Sequence, residues 1–159
     1  MLFPLRKAGH LASSAGRLST FWPEILDSNK MMDTKVDWDQ RVDALRDELQ
    51  EKGGLIRLLN QQTEALYRRD IMENERLEEQ IRVQLRLISR CTQGRELALR
   101  QTASKFHLNE NVQSNEVVRS FPEYVRPLFE DLFSDVERLT NRMEERLRQN
   151  RGLKREISL

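Results

Sequence analysis

The sequence predicts an all-α protein, with an elongated antiparallel helical hairpin or coiled coil followed by a third, C-terminal amphipathic helix. The charged share is 33% and the hydrophobic share is 38%, whereas typical globular domains have about 25% and about 45–50%. Glycine (6 residues) and proline (4 residues) are rare. Long stretches also carry apolar residues three and four positions apart, a spacing that places one apolar stripe on each helix.

Residues 1–35 differ in composition from the rest, and we expect them to form a disordered N-terminal extension to a helical domain at 36–159. Before Glu24, the extension has three basic residues and no acidic residue, a composition typical of an organelle-targeting peptide. Met31 and Met32 directly precede the acidic start of the helical pattern. Translation from these methionines is therefore an alternative, and a functional tail is a third.

The first helix of the predicted hairpin covers roughly residues 36–69. Its apolar stripe is formed by Val42, Leu45, Leu49, Ile56, Leu59 and Leu66. Lys52 and Thr63 fall on the same stripe as polar interruptions. Because the apolar register continues across Gly53-Gly54, we expect this pair to bend the helix rather than to end it.

The apolar spacing fails around Asp70. Asp70 is followed three positions later by Glu73, the spacing of a capping box with Asp in place of Ser or Thr. This spacing predicts that one helix ends and another begins over 71–106, with Arg68 and Arg69 in the last turn of the first helix, where the helix dipole favours cations. The alternative is one continuous helix with a polar notch at Asp70.

The second predicted helix has one apolar and one basic line. The apolar stripe is formed by Leu77, Ile81, Leu85, Ile88 and Leu99. Arg82, Arg86 and Arg90 repeat every four residues and therefore share one face. We interpret this line as a solvated surface, with the binding of an acidic partner as the alternative.

A loop and a third helix complete the prediction. Residues 107–120 are polar and rich in Asn, which indicates a loop. The sequence Ser120-Phe121-Pro122-Glu123 has capping-box spacing with Pro in the first turn, which predicts the start of the C-terminal helix. Pro127 restricts the residue before it, so we expect a kink or a new start there.

The C-terminal helix has a wider apolar face than the other two. One stripe is formed by Phe129, Leu132, Val136, Leu139 and Met143, and a second stripe by Leu128, Phe133, Thr140 and Leu147. The first stripe continues through Asn150, Leu153 and Ile157. One stripe is enough to pack on the hairpin, so we expect the other to bind a partner.

Residues with catalytic or metal-binding chemistry are sparse. Cys91 is the single cysteine, and His10 and His107 stand far apart in the sequence without companion ligands at zinc-site spacing. We find no Gly-rich phosphate loop and no nucleophile with a neighbouring base. We therefore expect a protein that is not an enzyme and has no cofactor. The net charge of +1 gives no reason to expect nucleic acid as a partner, and no apolar run is long enough to span a bilayer.

The helical pattern resembles the FlgN-type flagellar export chaperones over about residues 45–157. The first helical pair of that family is matched by Glu64-Ala65-Leu66, Asp70, Leu77, Ile81, Leu85 and Arg90, and its C-terminal helix by Leu139, Met143, Leu147, Asn150 and Leu153. The chain departs from the pattern at Gln80, where the family often has Lys, and in the FPEYVRP stretch.

The resemblance implies a cytoplasmic chaperone of the bacterial flagellar type III export system. Such a protein would bind C-terminal segments of the hook–filament junction proteins and deliver them to the export gate. We expect the client-binding site on the C-terminal helix, at Leu128, Phe129, Leu132, Phe133, Val136, Leu139, Met143, Leu147, Asn150 and Leu153. A homodimeric coiled-coil protein without a client and a mitochondrial coiled-coil accessory protein are the alternatives.

Overall fold

Four α-helices form the described part of the chain, which is residues 35–157 of the computed structural model. The helices are α1 (Trp38–Tyr67), α2 (Ile71–Lys105), α3 (Ser114–Arg119) and α4 (Arg126–Ile157). No strand occurs between residues 35 and 157. The predicted all-α class is therefore confirmed, whereas the predictions for residues 1–34 lie outside the described residues.

Helix α1 begins at an Asp cap and runs without a break through both central glycines. The carboxylate of Asp37 accepts a hydrogen bond from the amide of Gln40 at 3.1 Å, which satisfies a free N–H of the first turn. At Gly54, a Cβ atom would lie 3.2 Å from Nε2 of Gln84. That amide group donates to the carbonyl of Glu51 at 2.9 Å. The missing side chain of Gly54 therefore lets α2 approach α1 closely.

The chain turns at Asp70, as the capping pattern predicts. The amide of Asp70 donates to the carbonyl of Ala65 at 2.9 Å, and the amide of Arg69 donates to the carbonyl of Leu66 at 3.0 Å. Arg69 has a φ of 55°. These bonds form a Schellman motif, in which a left-handed residue ends the helix. The side chain of Asp70 then accepts from the amide of Glu73 at 3.1 Å and so begins α2.

Two details of the predicted turn were wrong. Helix α1 ends at Tyr67, so Arg68 is its C-cap and Arg69 follows it; neither lies in the last turn. The return bond of a capping box is also missing, because the carboxylate of Glu73 pairs with Arg76 while the amide of Asp70 is engaged in the Schellman motif. A single Asp therefore serves both the end of one helix and the start of the next.

The linker differs from the prediction, and of the two predicted helix starts, at Ser120 and at Pro127, the structure has the second. Residues 114–119 form a short helix within the predicted loop, because Val117 and Val118 are buried in the core. Helix α4 begins at Arg126 and not near Ser120. The amide of Arg126 donates to the carbonyl of Pro122 at 3.0 Å, so one tight turn precedes the helix.

The long helices are arranged around α1, which packs against both α2 and α4. Helix α2 is antiparallel to α1, since Glu48 meets Arg95 and Gln62 meets Asn74. Helix α4 is parallel to α1, because Lys52 meets Thr140 and Thr63 meets Asn150. Four aromatic rings close one end of the bundle. Trp38 belongs to α1 and Phe129 to α4, whereas Phe106 follows α2 and Phe121 lies between α3 and α4.

Candidate functional site

The structure divides the predicted binding residues of α4 into three groups by exposure. Buried in the bundle are Phe129, Leu132, Val136, Met143 and Asn150. Half-buried at its edges are Phe133, Leu139, Leu147 and Leu153, and exposed is Leu128. The buried group packs against residues of this chain, so the accessible part of the predicted site is limited to the second and third groups.

Leu128 and Phe133 were predicted to share one stripe of the C-terminal helix, but the structure places them on different edges of its buried face. Leu128 and Phe133 are five residues apart, which separates them by about 140° around a helix. Leu128 is 43% exposed, whereas Phe133 packs against the core and lies under the guanidinium of Arg95. Leu128 therefore lies on one edge of the buried face, while Phe133 lies on the edge that borders α2.

Charged side chains form one buried layer between α1, α2 and α4, which we call the charged layer. Glu48 is fully buried and accepts hydrogen bonds from Arg95 at 2.5 Å and Thr92 at 2.9 Å. Lys52 lies 2.8 Å from the same carboxylate. Its ammonium group also donates to Oγ1 of Thr140 at 2.7 Å. The layer thus holds all three long helices through one carboxylate and its partners.

The charged layer keeps Glu48 ionised. Burial by itself would raise the pKa of this carboxyl, because the charged form loses its hydration. The hydrogen bonds and positive charges of Arg95 and Lys52 outweigh that effect and hold the pKa of Glu48 below its ordinary value. Both cations in turn depend on this one carboxylate for a buried counter-charge.

Amide side chains form a second layer nearer the turn, which we call the amide layer. Asn150 of α4 donates to the carbonyl of Leu59 at 2.9 Å and to Oε1 of Gln62 at 3.0 Å. It accepts from Thr63 at 2.7 Å. Gln62 donates in turn to Oδ1 of Asn74 on α2 at 3.2 Å. The layer links the three helices without a formal charge, and it explains why polar residues interrupt the apolar stripes of α1 and α4.

A cation from the end of α4 borders the amide layer. Lys154 pairs with Glu78, whose carboxylate also accepts from Asn74 at 3.2 Å. The hydrogen bond from Lys154 lowers the pKa of Glu78. This contact ties α4 directly to α2 at the turn end of the bundle.

An open cleft of about 770 Å³ lies beside Phe133, between α2, α3 and α4. Three apolar residues contribute to its lining: Val118 and Val136, which are buried, and Phe133, which is half-buried. Polar residues make up the rest of the lining: Arg95, Gln113, Ser114, Asn115, Arg119, Glu130, Ser134, Glu137, Thr140 and Asn141. Pockets for small molecules are lined mainly by apolar side chains, so this mostly polar cleft is better suited to an amphipathic segment with one apolar anchor on Phe133.

The other residues singled out in the sequence have structural roles or no partners for chemistry. Asp70 caps α2, and His107 takes a φ of 58° at the end of α2. Burial, followed by nearby carboxylates, raises the pKa of Cys91, which disfavours its thiolate. Among residues 35–157, no group of three or more His, Cys, Asp or Glu could hold a metal ion. None of the helices in this range is long and apolar enough to cross a membrane.

The outer face of α2 carries exposed apolar side chains away from the cleft. Val83, Leu87 and Leu97 are 45%, 38% and 54% exposed. The basic line beside them is partly neutralised, because Glu79 lies 3.2 Å from Arg82 and 3.9 Å from Arg86.

Comparison with known proteins finds no matching family model, no matching curated protein and no matching solved structure.

Proposed function

We propose that this protein is a helix-binding chaperone of the FlgN type, with the cleft beside Phe133 as part of its client site. It would hold amphipathic C-terminal segments of hook–filament junction proteins in the cytoplasm and deliver them to the export gate. The helical pattern that resembles this family supports the identity of the client. The single observation that carries the location is the half-buried ring of Phe133, which lines the cleft beside the buried Val118 and Val136.

The bundle is suited to holding a partner without unfolding. The charged and amide layers anchor α4 to α1 through buried hydrogen bonds, and such bonds fix the register of packed helices. The half-buried residues of α4, such as Phe133 and Leu147, can therefore stay in place while they contact a client. Groove recognition of this kind uses apolar anchors spaced at i, i+3, i+4 and i+7 on the bound helix.

Calorimetric titration with the C-terminal segment of a hook–filament junction protein tests the proposal. Phe133→Ala should weaken binding roughly ten- to hundredfold, since burying a large apolar side chain contributes about 1.5–3 kcal/mol. Asn141→Trp fills the cleft from an exposed position and should block binding while circular dichroism stays unchanged. This second variant matters because Phe133 also contacts the core.

Leu128→Ala is the matched control, because Leu128 is an exposed apolar residue on the opposite edge of α4. We expect its affinity for the segment to stay within about twofold of the wild type, as for surface changes outside a binding site. Loss of binding in Leu128→Ala alone would move the client site to that edge. Failure of the wild-type protein to bind any junction segment would contradict the chaperone proposal.

Homodimerisation without a client is the second candidate, and the exposed residues of the α2 outer face favour it. Val83, Leu87 and Leu97 lie within about 40° of one line along the helix. A second copy would cover them in a symmetric interface. Light scattering over a range of concentrations would show a dimer, and Leu87→Glu should return it to a monomer. A mass that is monomeric at every concentration excludes this candidate.

A further inference from the structure

The long helices occupy three positions of a four-helix arrangement. Helix α1 packs against α2 and α4, but no Cα of α2 lies within 8 Å of a Cα of α4. Helix α3 shows the reverse pattern: its backbone approaches α2 and α4 within this distance, and that of α1 does not. In a four-helix bundle, neighbouring helices touch and diagonal ones do not. Helix α3 therefore lies at the fourth position, diagonally opposite α1.

Helix α3 fills only one end of this fourth position. It has 6 residues, whereas α4 has 32. Val117 and Val118 of α3 are 1% and 3% exposed and belong to the core. The protein thus already packs a helix between α2 and α4 at this end. Beside α3, the cleft extends along α4 from Glu130 to Asn141.

The wall that α4 presents to the cleft has the pattern of a helix–helix interface. Phe133 and Thr140 line the cleft and are half-buried, and Leu147 continues their seven-residue repeat beyond it. An acidic row repeats with the same period three residues earlier: Glu130 and Glu137 line the cleft, Glu144 lies beyond it, and all three are exposed. In coiled coils, charged rows that flank the apolar rows select the partner through ion pairs.

The acidic row forms no close ion pair within the described residues. No ion pair joins Glu130, Glu137 or Glu144 to another residue between 35 and 157. Two cations also line the cleft. Arg95 is held by Glu48 at 2.5 Å, and Arg119 is exposed on α3. The α4 wall therefore remains acidic.

We propose that the fourth position is completed by one amphipathic helix of the client, with its apolar stripe on Phe133 and basic residues facing the acidic row of α4. This inference rests on the proposed function and deepens it, because it specifies the shape and charge of the client segment. Helix α3 acts as an end stop, since its core valines prevent the bound helix from extending further toward the aromatic end of the bundle.

Two designed peptides of about 18 residues, each roughly 27 Å long when helical, test the inference. Both carry Leu at heptad core positions; one has Lys and the other Glu at the flanking positions. In fluorescence anisotropy at low salt, the Lys peptide should bind at least fivefold more tightly. High salt should reduce this preference, because it screens exposed charges.

The double variant Glu130→Lys with Glu137→Lys should reverse the preference. The control is Asp131→Lys with Glu145→Lys, which changes the net charge by the same amount at exposed α4 positions outside the cleft lining. The control should keep the preference for the Lys peptide. Equal affinity for both peptides, or an unchanged preference in the Glu130 and Glu137 variant, would overturn the inference.

The same variants separate this inference from the proposed function. If a junction segment binds wild type and both double variants equally, the chaperone function stands and the acidic fourth position is wrong. If the Lys peptide binds as expected but no junction segment binds, the flagellar client is wrong. Self-association of the protein alone that disappears in the Glu130 and Glu137 variant would assign the position to a second copy and overturn the client proposal.

Discussion

The charged layer and the amide layer connect the same three helices by different chemistry. Glu48 accepts from Arg95 and Thr92 and pairs with Lys52, so one carboxylate balances two cations. Asn150 instead exchanges neutral hydrogen bonds with Gln62, Thr63 and the carbonyl of Leu59. A buried charge left without its partner costs more than a buried amide left without one. We therefore expect the two layers to respond differently to mutation and to pH.

Removing the central carboxylate should have the largest effect. Glu48→Ala leaves Lys52 and Arg95 next to each other without a counter-charge, and breaking a buried pair in this way costs about 3–5 kcal/mol. Urea unfolding measures the change, with Asp47→Ala as the control at an exposed neighbouring position. A cost for Glu48→Ala as small as that of the control would mean that the charged layer does not stabilise the bundle.

Acid should weaken the charged layer and leave the hydrogen bonds of Asn150 intact. The folded-state pKa of Glu48 lies below the ordinary value of 4.5, so its stabilising contribution is present above about pH 4.5 and is lost as the pH falls through the folded value. Glu78, whose pKa is also lowered, adds to the loss in the same direction. The urea midpoint should therefore drop between pH 7 and pH 3.

Glu48→Gln isolates the part of the acid response that belongs to the charged layer. This variant should already be less stable at neutral pH and should lose less stability on acidification than the wild type. Asn150→Ala should lose as much as the wild type, because no titrating group is removed. An acid loss in Glu48→Gln equal to that of the wild type would assign the response to other carboxylates.

Asn150→Ala should cost less than Glu48→Ala. The change removes one hydrogen bond each from Gln62, Thr63 and the carbonyl of Leu59, and an unsatisfied buried polar group costs about 1–3 kcal/mol. We expect a total near 2–3 kcal/mol, since Gln62 keeps its bond to Asn74. Gln149→Ala, at an exposed site beside it, serves as the control in the same urea titration. A cost larger than that of Glu48→Ala would reverse the comparison.

The smallest expected effect is at the turn next to the amide layer. Asp70→Ala removes the cap of α2 and should cost about 1 kcal/mol, as is usual for an N-cap. This hydrogen bond is exposed, so its contribution to the free energy of unfolding can be compared with the larger contributions of the two buried layers. A urea midpoint that rises in Asp70→Ala would indicate that the turn is not stabilised by its cap.

Local chemistry in the sequence determined the helical class, the turn at Asp70 and the apolar stripe of α4 that includes Phe129, Val136 and Met143. Each of these depends on residues within about one turn of one another, such as Asp70 with the amide of Glu73, so no knowledge of the fold is required. The helical spacing also placed Phe129, Val136 and Met143 on one face, but their burial within this chain, in place of the expected contact with a client, is visible only in the packed bundle.

Only the tertiary structure decided which polar residues meet and where the short elements lie. Lys52 and Thr63 are visible in the sequence as interruptions, but their partners Thr140 and Asn150 are 88 and 87 residues away. Helix α3 forms because Val117 and Val118 reach a core made by other segments, and six residues are too few to show a helical pattern alone. Pairing between distant segments depends on the direction and register of packed helices, which are properties of the whole bundle and not of any single stretch of sequence.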